Sequence, residues 1–301
     1  MLIMLKNKLK KNIARYIDQQ IEEYLQLAIQ MNEFINAPNE KLASYVESQT
    51  NISSLVRELK DIGISVVEER LNIDSFQKWM NKFPEVVSHY SQHNDVKIEK
   101  ILEHYLVFEY LNIKNHDVYV DIAAANSPFS KILRKNGVDG YEQDLIYTEG
   151  INGFKIGGDA SSLPVPENFA DVLSLQCAFE CFQGNSDFGF IKETGRVLKK
   201  GGRLGIVPLY MDNEYFVKTG PKFDKRKLKV EKEANWIWRD DDYLEEPFSR
   251  HYSPASFKNR VYDNLIGMNG EILFFTNLDE LMKVFINQRI YCHFMFRAIK
   301  G

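Results

Sequence analysis

The stretch VDIAAANSPFSKIL, residues 120–133, decides the fold. An apolar, β-branched run ends in Asp121, tiny residues make a tight turn, and a helix begins. Ser127 is placed to cap that helix, and Pro128 suits its first position, where a missing N–H costs nothing. Gly137 supplies the stop. Such a corner joins the first strand of an α/β sheet to its helix. It brings two assets to a ligand: small residues that let the backbone come close, and an exposed helix N-terminus.

The same texture continues downstream. VDGYEQDL reads as a second strand and FKIGGDA as a short third. FADVLSLQCAFECF gives a fourth at 171–176 that runs into a helix. DFGFIKETGRVLKKGG is a helix closed by two glycines, and RLGIVPLY is a fifth strand. Strands alternating with helices at this spacing predict a Rossmann-like, doubly wound, mostly parallel sheet, with ligands at the carboxyl ends of its strands. A nucleotide-type ligand also needs an acid at the tip of the second strand, ~20 residues past the turn. Asp144 stands 21 residues after Ala123, and Glu142, on the same face of the strand, is the reserve.

Upstream, residues 1–112 read as a helical N-terminal region ahead of the sheet domain at 113–301. Ile13, Ile17, Ile21, Tyr24, Leu25, Ala28 and Met31 mark one helical face. NAPNE interrupts, a second helical stretch covers about 51–71, broken by DIGIS, and VKIEKILEHYLVFEYL is a third. Downstream, an aromatic and charged insert at about 211–262 breaks the alternation and is expected to fold as a lid or extra hairpin. NLDELMKVFINQ is a helix, and RIYCHFMFRAI a last strand.

Composition narrows the function classes. In 301 residues the net charge is −4, so the broad basic footprint of a nucleic-acid binder is absent. Three cysteines, Cys177, Cys181 and Cys292, form neither a disulfide framework nor a zinc pattern, and read as reduced thiols of a cytoplasmic protein. No stretch approaches the ~20 apolar residues that span a bilayer, and no metal site is expected.

The four motifs in order resemble the class I S-adenosylmethionine-dependent methyltransferases, over about 116–210. That family shows D-x-G-x-G-x-G after strand one, an acid after strand two, G-D-A with L-P-F and F-D around strands three and four, and R-V-L-K-P-G-G before strand five. Here stand Asp121-Ile-Ala-Ala-Ala-Asn-Ser, Asp144, GGDASSLPVPENFADVLSLQCAFECF and GRVLKKGGRLGIVP. The departure is the first motif, where Ala123, Ala125 and Ser127 replace the glycines. Close approach is kept, but easy access to positive φ is lost, and Asn126 is the residue expected to take that role.

The resemblance implies S-adenosylmethionine as cofactor. Asp121 would help position its methionine portion, Asp144 or Glu142 its ribose, and Asp159 with the Ala160 N–H its adenine. Gln176 would line the edge where cofactor and acceptor meet. Methyl transfer needs mostly alignment, and a hydroxyl acceptor also needs a base. Glu180 and His251 are the candidates. The motifs for methylating exocyclic amines or cytosine in nucleic acid are missing. The expected reaction is therefore methylation of an oxygen, or as the second choice a nitrogen, of a small molecule or glycan. Two other classes stay open: a non-catalytic scaffold retaining the sheet, and a glycosyltransferase using the acidic RDDDYLEE of 239–246. The first predicts no cofactor affinity, the second a metal and a nucleotide sugar. No G-x-G-x-x-G supports an NAD-dependent oxidoreductase.

Overall fold

Strand β2, Val118–Ile122, shows why the sheet lies inside the molecule. Val120 and Ile122 point to one hydrophobic core and Tyr119 to another, so both faces of the strand are covered, as in parallel sheets flanked by helices. The computed structural model describes residues 49–219, 228–231, 233–238 and 248–301, with positions 10, 13–14, 16–22 and 25 of an N-terminal helix. On that helix Ile13, Ile17, Ile21 and Leu25 are exposed. Tyr24, Ala28, Met31, NAPNE and the acidic RDDDYLEE lie outside the described residues.

The chain starts with α1 (Gln49–Asp61), β1 (Val66–Glu69), α2 (Ile73–Lys82), α3 (Pro84–His89) and α4 (Lys97–Tyr110). After β2 come α5 (Phe129–Lys135), β3 (Asp139–Asn152), β4 (Lys155–Gly157), β5 (Ala170–Gln176), α6 (Ser186–Val197) and β6 (Leu198–Val207). Then follow β7 (Phe216–Thr219), β8 (Asn235–Trp238), β9 (Ser249–His251), α7 (Pro254–Arg260), β10 (Met268–Phe275), α8 (Leu278–Val284) and β11 (Phe294–Lys300). The eight-stranded sheet runs β4-β3-β2-β5-β6-β11-β10-β1. Every pairing in it is parallel except those of β11, which runs against β6 and β10. The switch point falls between β2 and β5, where the strand order reverses and where open α/β sheets bind their ligands. The expected Rossmann-like architecture is present.

Three expectations need correction, and one strand went unread. The N-terminal region is not helical throughout: VVEE at 66–69 forms β1 and extends the sheet beside β10. Four residues between turns carry too little periodicity to declare a strand, and it forms because β10 offers an open edge. The strand at β10, MNGEILFF, went unread for a similar reason: Asn269, Gly270 and Glu271 dilute its apolar run. The segment after β5 is a single 3₁₀ turn, Phe179–Cys181, not a helix. The insert forms a three-stranded sheet of its own, β8-β7-β9.

Helix α4 matters most for the site. It is buried around its whole circumference from Ile98 to Val107, packed against the sheet face shared by Tyr119, Val172 and Met295. Ile101, Leu102, Leu106 and Val107 are each shut away from water, and burying such side chains contributes about 1.5–3 kcal/mol apiece. That anchorage holds Glu99, Glu103 and His104 in the same interior.

Candidate active site

The turn after β2 keeps the backbone of a glycine loop without the glycines. Ala123 has φ +52° and Ala125 φ +44°, both in the left-handed region that costs an L-residue roughly 1–2 kcal/mol. Asn126 is not among the positive-φ residues, so the alanines themselves take the role expected of it. Side chains from β3 hold them there. Gln143 accepts the Ala123 N–H through Oε1 at 3.1 Å and donates to the Gly158 carbonyl at 2.6 Å. The Ala124 N–H donates to the Gln143 carbonyl at 2.9 Å. Asp144 accepts the Ala125 N–H at 2.9 Å and the Ile146 N–H at 3.1 Å, one on each oxygen. Asp144 is therefore turned toward the loop, with about half of a carboxylate's four acceptor positions still open. Glu142 is tied to Arg134 by an ion pair at 3.1 Å.

Asp121 is buried at the end of β2, and Ser127 donates to its Oδ2 at 2.8 Å. Burial pushes its carboxyl up to about 7; the Ser127 hydroxyl opposes this and the Glu142 charge adds to it. Pro128, not Ser127, is the cap residue of α5, although the Phe129 N–H does donate to Ser127 Oγ at 3.3 Å. At the next tip, Asp159 accepts the Ser161 N–H and hydroxyl at 2.8 and 2.7 Å and so caps a 3₁₀ turn that begins at the buried Ala160. Gly157 at the end of β4 must stay a glycine, because a Cβ there would lie 2.1 Å from the Thr148 carbonyl oxygen in the arm of β3 that folds over it.

The end of β5 differs in character. Gln176 donates to Tyr119 and to Ser174, each at 3.2 Å, while its Oε1 is buried with no hydrogen-bond partner. Cys177 has φ +50°, and its Sγ lies 3.7 Å from the Tyr210 hydroxyl. Glu180 is buried, and its Oε2 is likewise unpartnered. Burial raises the Glu180 carboxyl to about 7, against the pull of its own backbone N–H, Lys100 and the Cys177 thiol. His251, on β9, stacks on Phe216 at 4.6 Å and tilts against Tyr210 at 5.0 Å. Tyr210 is the ring that both base candidates reach: Glu180 acts on it through its charge and His251 through ring contact. Arg250 fixes β9, and with it His251, to the domain. Its fully buried guanidinium meets Asp187 at 3.0 Å, Glu231 at 2.6 Å, and the carbonyls of Phe182 and Gly184 at 2.6 and 2.9 Å.

Residues that went unread in the sequence complete this corner. Lys100 of α4 pairs with Glu103 at 2.9 Å. The pair acts on Cys177 and Glu180, and Tyr291, just before β11, stacks on Tyr210 at 6.2 Å. His104 is buried beside Tyr90, whose hydroxyl lies 2.8 Å from Nε2, and burial lowers the imidazole to about 3. Glu99 with Glu103 and Lys100 with His104 are spaced i,i+4 among the apolar Ile98, Ile101, Leu102, Tyr105 and Leu106. That spacing was the available signal. Among the described residues no His, Cys, Asp or Glu cluster has the arrangement of a metal site, and no helix is long and apolar enough to cross a membrane.

Residues 116–206 match the family model described as a methyltransferase domain. No curated protein matches the chain. Among solved structures, the Haloferax volcanii protein complexed with the Trm112 methyltransferase activator is 14% identical, covering 72% of this chain and 98% of its own, with a TM-score of 0.41. An S-adenosylmethionine-dependent methyltransferase from Mesorhizobium loti is 14% identical over 66% of this chain and 98% of its own, TM-score 0.41. One from Methanosarcina mazei is 15% identical over 62% and 94%, TM-score 0.39.

Proposed function

We propose, from the premise that residues 116–206 form an S-adenosylmethionine-dependent methyltransferase domain, that the chain methylates an oxygen, or as the second choice a nitrogen, of a small molecule or glycan. The observation that carries the acceptor side of this reading is Glu180: a buried carboxyl at the tip of β5, poised near neutrality, with one oxygen unpartnered.

The residues at the strand tips fit the cofactor. The alanine loop has the left-handed backbone that lets a ligand lie against it, Asp144 keeps open acceptor positions for ribose hydroxyls, and Gln176 presents an unused buried acceptor at the switch point. Asp121 would orient the methionine portion, and Asp159 with the Ala160 N–H the adenine. When bound, S-adenosylmethionine supplies a methyl group on a sulfonium whose leaving group is a neutral thioether.

Glu180 would take the proton of an acceptor hydroxyl held at the tip of β5. A carboxyl raised to about 7 is matched to this task at neutral pH. Lys100 steadies the carboxylate that accepts the proton, and Tyr210 with His251 forms the wall against which an acceptor packs. His251 is the second base candidate, reached through Tyr210. The α1–α4 region, with a division at about 112, and the β7–β9 insert would shape the acceptor pocket. Incubating the protein with methyl-labelled S-adenosylmethionine and panels of alcohols, phenols, amines and glycans, then reading products for a gain of one CH₂, tests the proposal. Label on an oxygen in any panel supports it. Transfer to none of them, by a protein that also fails to bind cofactor, favours the scaffold reading.

A further inference from the structure

An amphipathic helix takes most of its stability from packing its apolar face. On the N-terminal helix that face is open at its described positions. Ile13, Ile17, Ile21 and Leu25 follow one another at four-residue steps and are 50–57% exposed. Tyr16, Ile17, Gln20, Ile21 and Leu25 line one open groove. Single exposed apolar residues are ordinary, but a continuous stripe of them marks a surface that meets a partner. The sequence carries the stripe onward: after Ile17 come Ile21, Tyr24, Ala28 and Met31, at steps of four and three. A repeat that averages 3.5 residues is the seam of two helices wound together.

Charge selects the partner. Residues 1–15 contain Lys6, Lys8, Lys10, Lys11 and Arg15 and no acid. Residues 16–33 contain Asp18, Glu22, Glu23 and Glu33 and no lysine or arginine. The apolar stripe therefore runs from a basic half into an acidic half. Two copies laid in the same direction would set like charges side by side along both halves. Laid in opposite directions, each basic half meets the acidic half of the other copy, which adds attraction and fixes the orientation. An anionic membrane would attract the basic half and repel the stretch from Asp18 to Glu33, where most of the stripe lies. A second copy in the reverse direction suits both halves.

We propose that this helix is a self-association surface, through which two copies of the chain pair stripe against stripe with their helices antiparallel. The proposal is independent of the methyl-transfer reading and is tested without cofactor or turnover.

The experiment is sedimentation equilibrium of the full chain over a range of micromolar concentrations, at low and at high salt. The expected mass is twice that of the chain. The double substitution Ile17→Asp with Ile21→Asp should return it to a single copy. Both side chains are exposed within one chain, so the variant should keep the thermal unfolding and circular dichroism of the sheet domain. Because the two halves attract, salt should weaken the association by screening. The reversal Lys10→Glu with Lys11→Glu should weaken it too, and adding Asp18→Lys and Glu22→Lys should restore it. A single-copy mass at every concentration would overturn the inference, as would a dimer that survives the double Asp substitution. Association that strengthens with salt would overturn the antiparallel arrangement. A single-copy chain that sediments with phosphatidylserine vesicles would give the face to a membrane and overturn the pairing. Should the double Asp variant fail to fold, the mass of the unaltered chain and its salt dependence decide.

Discussion

Two turns at the carboxyl edge of the sheet, after β2 and after β5, contain residues in the left-handed region, yet they differ in what they leave unsatisfied. In the first, the amides of Ala123, Ala124 and Ala125 are all taken by Gln143 and Asp144. In the second, Gln176 Oε1 and Glu180 Oε2 are buried with no partner. Hydrogen-bond satisfaction separates the proposed cofactor platform from the proposed reaction site. The alanine turn is a finished surface on which a ligand can lie. The turn after β5 stays incomplete until a ligand supplies its donors.

The largest expected effect comes from the incomplete side. Glu180→Gln keeps the shape and removes the proposed base, so turnover should fall about 10²–10⁴-fold. S-adenosylhomocysteine affinity, read by calorimetry, should stay within error. A loss of affinity equal to the loss of turnover would place Glu180 with the cofactor and erase the contrast. On the platform side, Asp144→Ala removes a charged acceptor from both the loop and the ribose position and should weaken cofactor binding by ~1–3 kcal/mol. Unchanged affinity in a folded variant would move the role to Glu142, after release from Arg134, or reject the site.

Proton linkage sharpens the comparison further. The Glu180 carboxyl lies near 7 in the folded chain, above its ordinary value, so the folded state holds a proton that the unfolded state has released. Its contribution to stability is present at low pH and is lost as pH rises through about 7. Between about pH 5 and 7, the unaltered chain should lose up to ~1.4 kcal/mol per pH unit relative to Glu180→Gln, measured by urea unfolding. Activity runs the other way, rising through the same pH range as the base ionises. The groups acting on that carboxyl are Lys100, the Cys177 thiol and Glu103. An identical slope in the variant would mean that Glu180 is ionised throughout. The smallest effect belongs to the alanines. Ala125→Gly relieves a φ of +44° and should leave stability unchanged or raise it by up to ~1 kcal/mol, unlike most alanine-to-glycine changes. A loss of that size in thermal unfolding would show that the turn is unstrained.

The sheet was legible because its strands carry their own punctuation. Asp121 and the turn after it, the GDA segment and the double glycine at 201–202 each mark a strand end, and five parallel strands followed from them. What went unread depended on partners far away in sequence. The strand at 66–69 exists because β10 pairs with it, and β10 is itself diluted by Asn269, Gly270 and Glu271. Among the site residues, Asp121, Asp144 and Glu180 could be named from position. Lys100, Glu103, Tyr210 and Tyr291 could not, because only the packing of α4 and β11 against the β5 tip brings them together. The alanines misled for a physical reason. Propensity argued against positive φ, and three hydrogen bonds from β3 override it.

Titration calorimetry of the folded chain with S-adenosylhomocysteine tests the central claim most directly. Saturable one-to-one binding, weakened in Asp144→Ala and retained in Glu180→Gln, is the predicted result. A folded chain that takes up no S-adenosylhomocysteine at any concentration would contradict it.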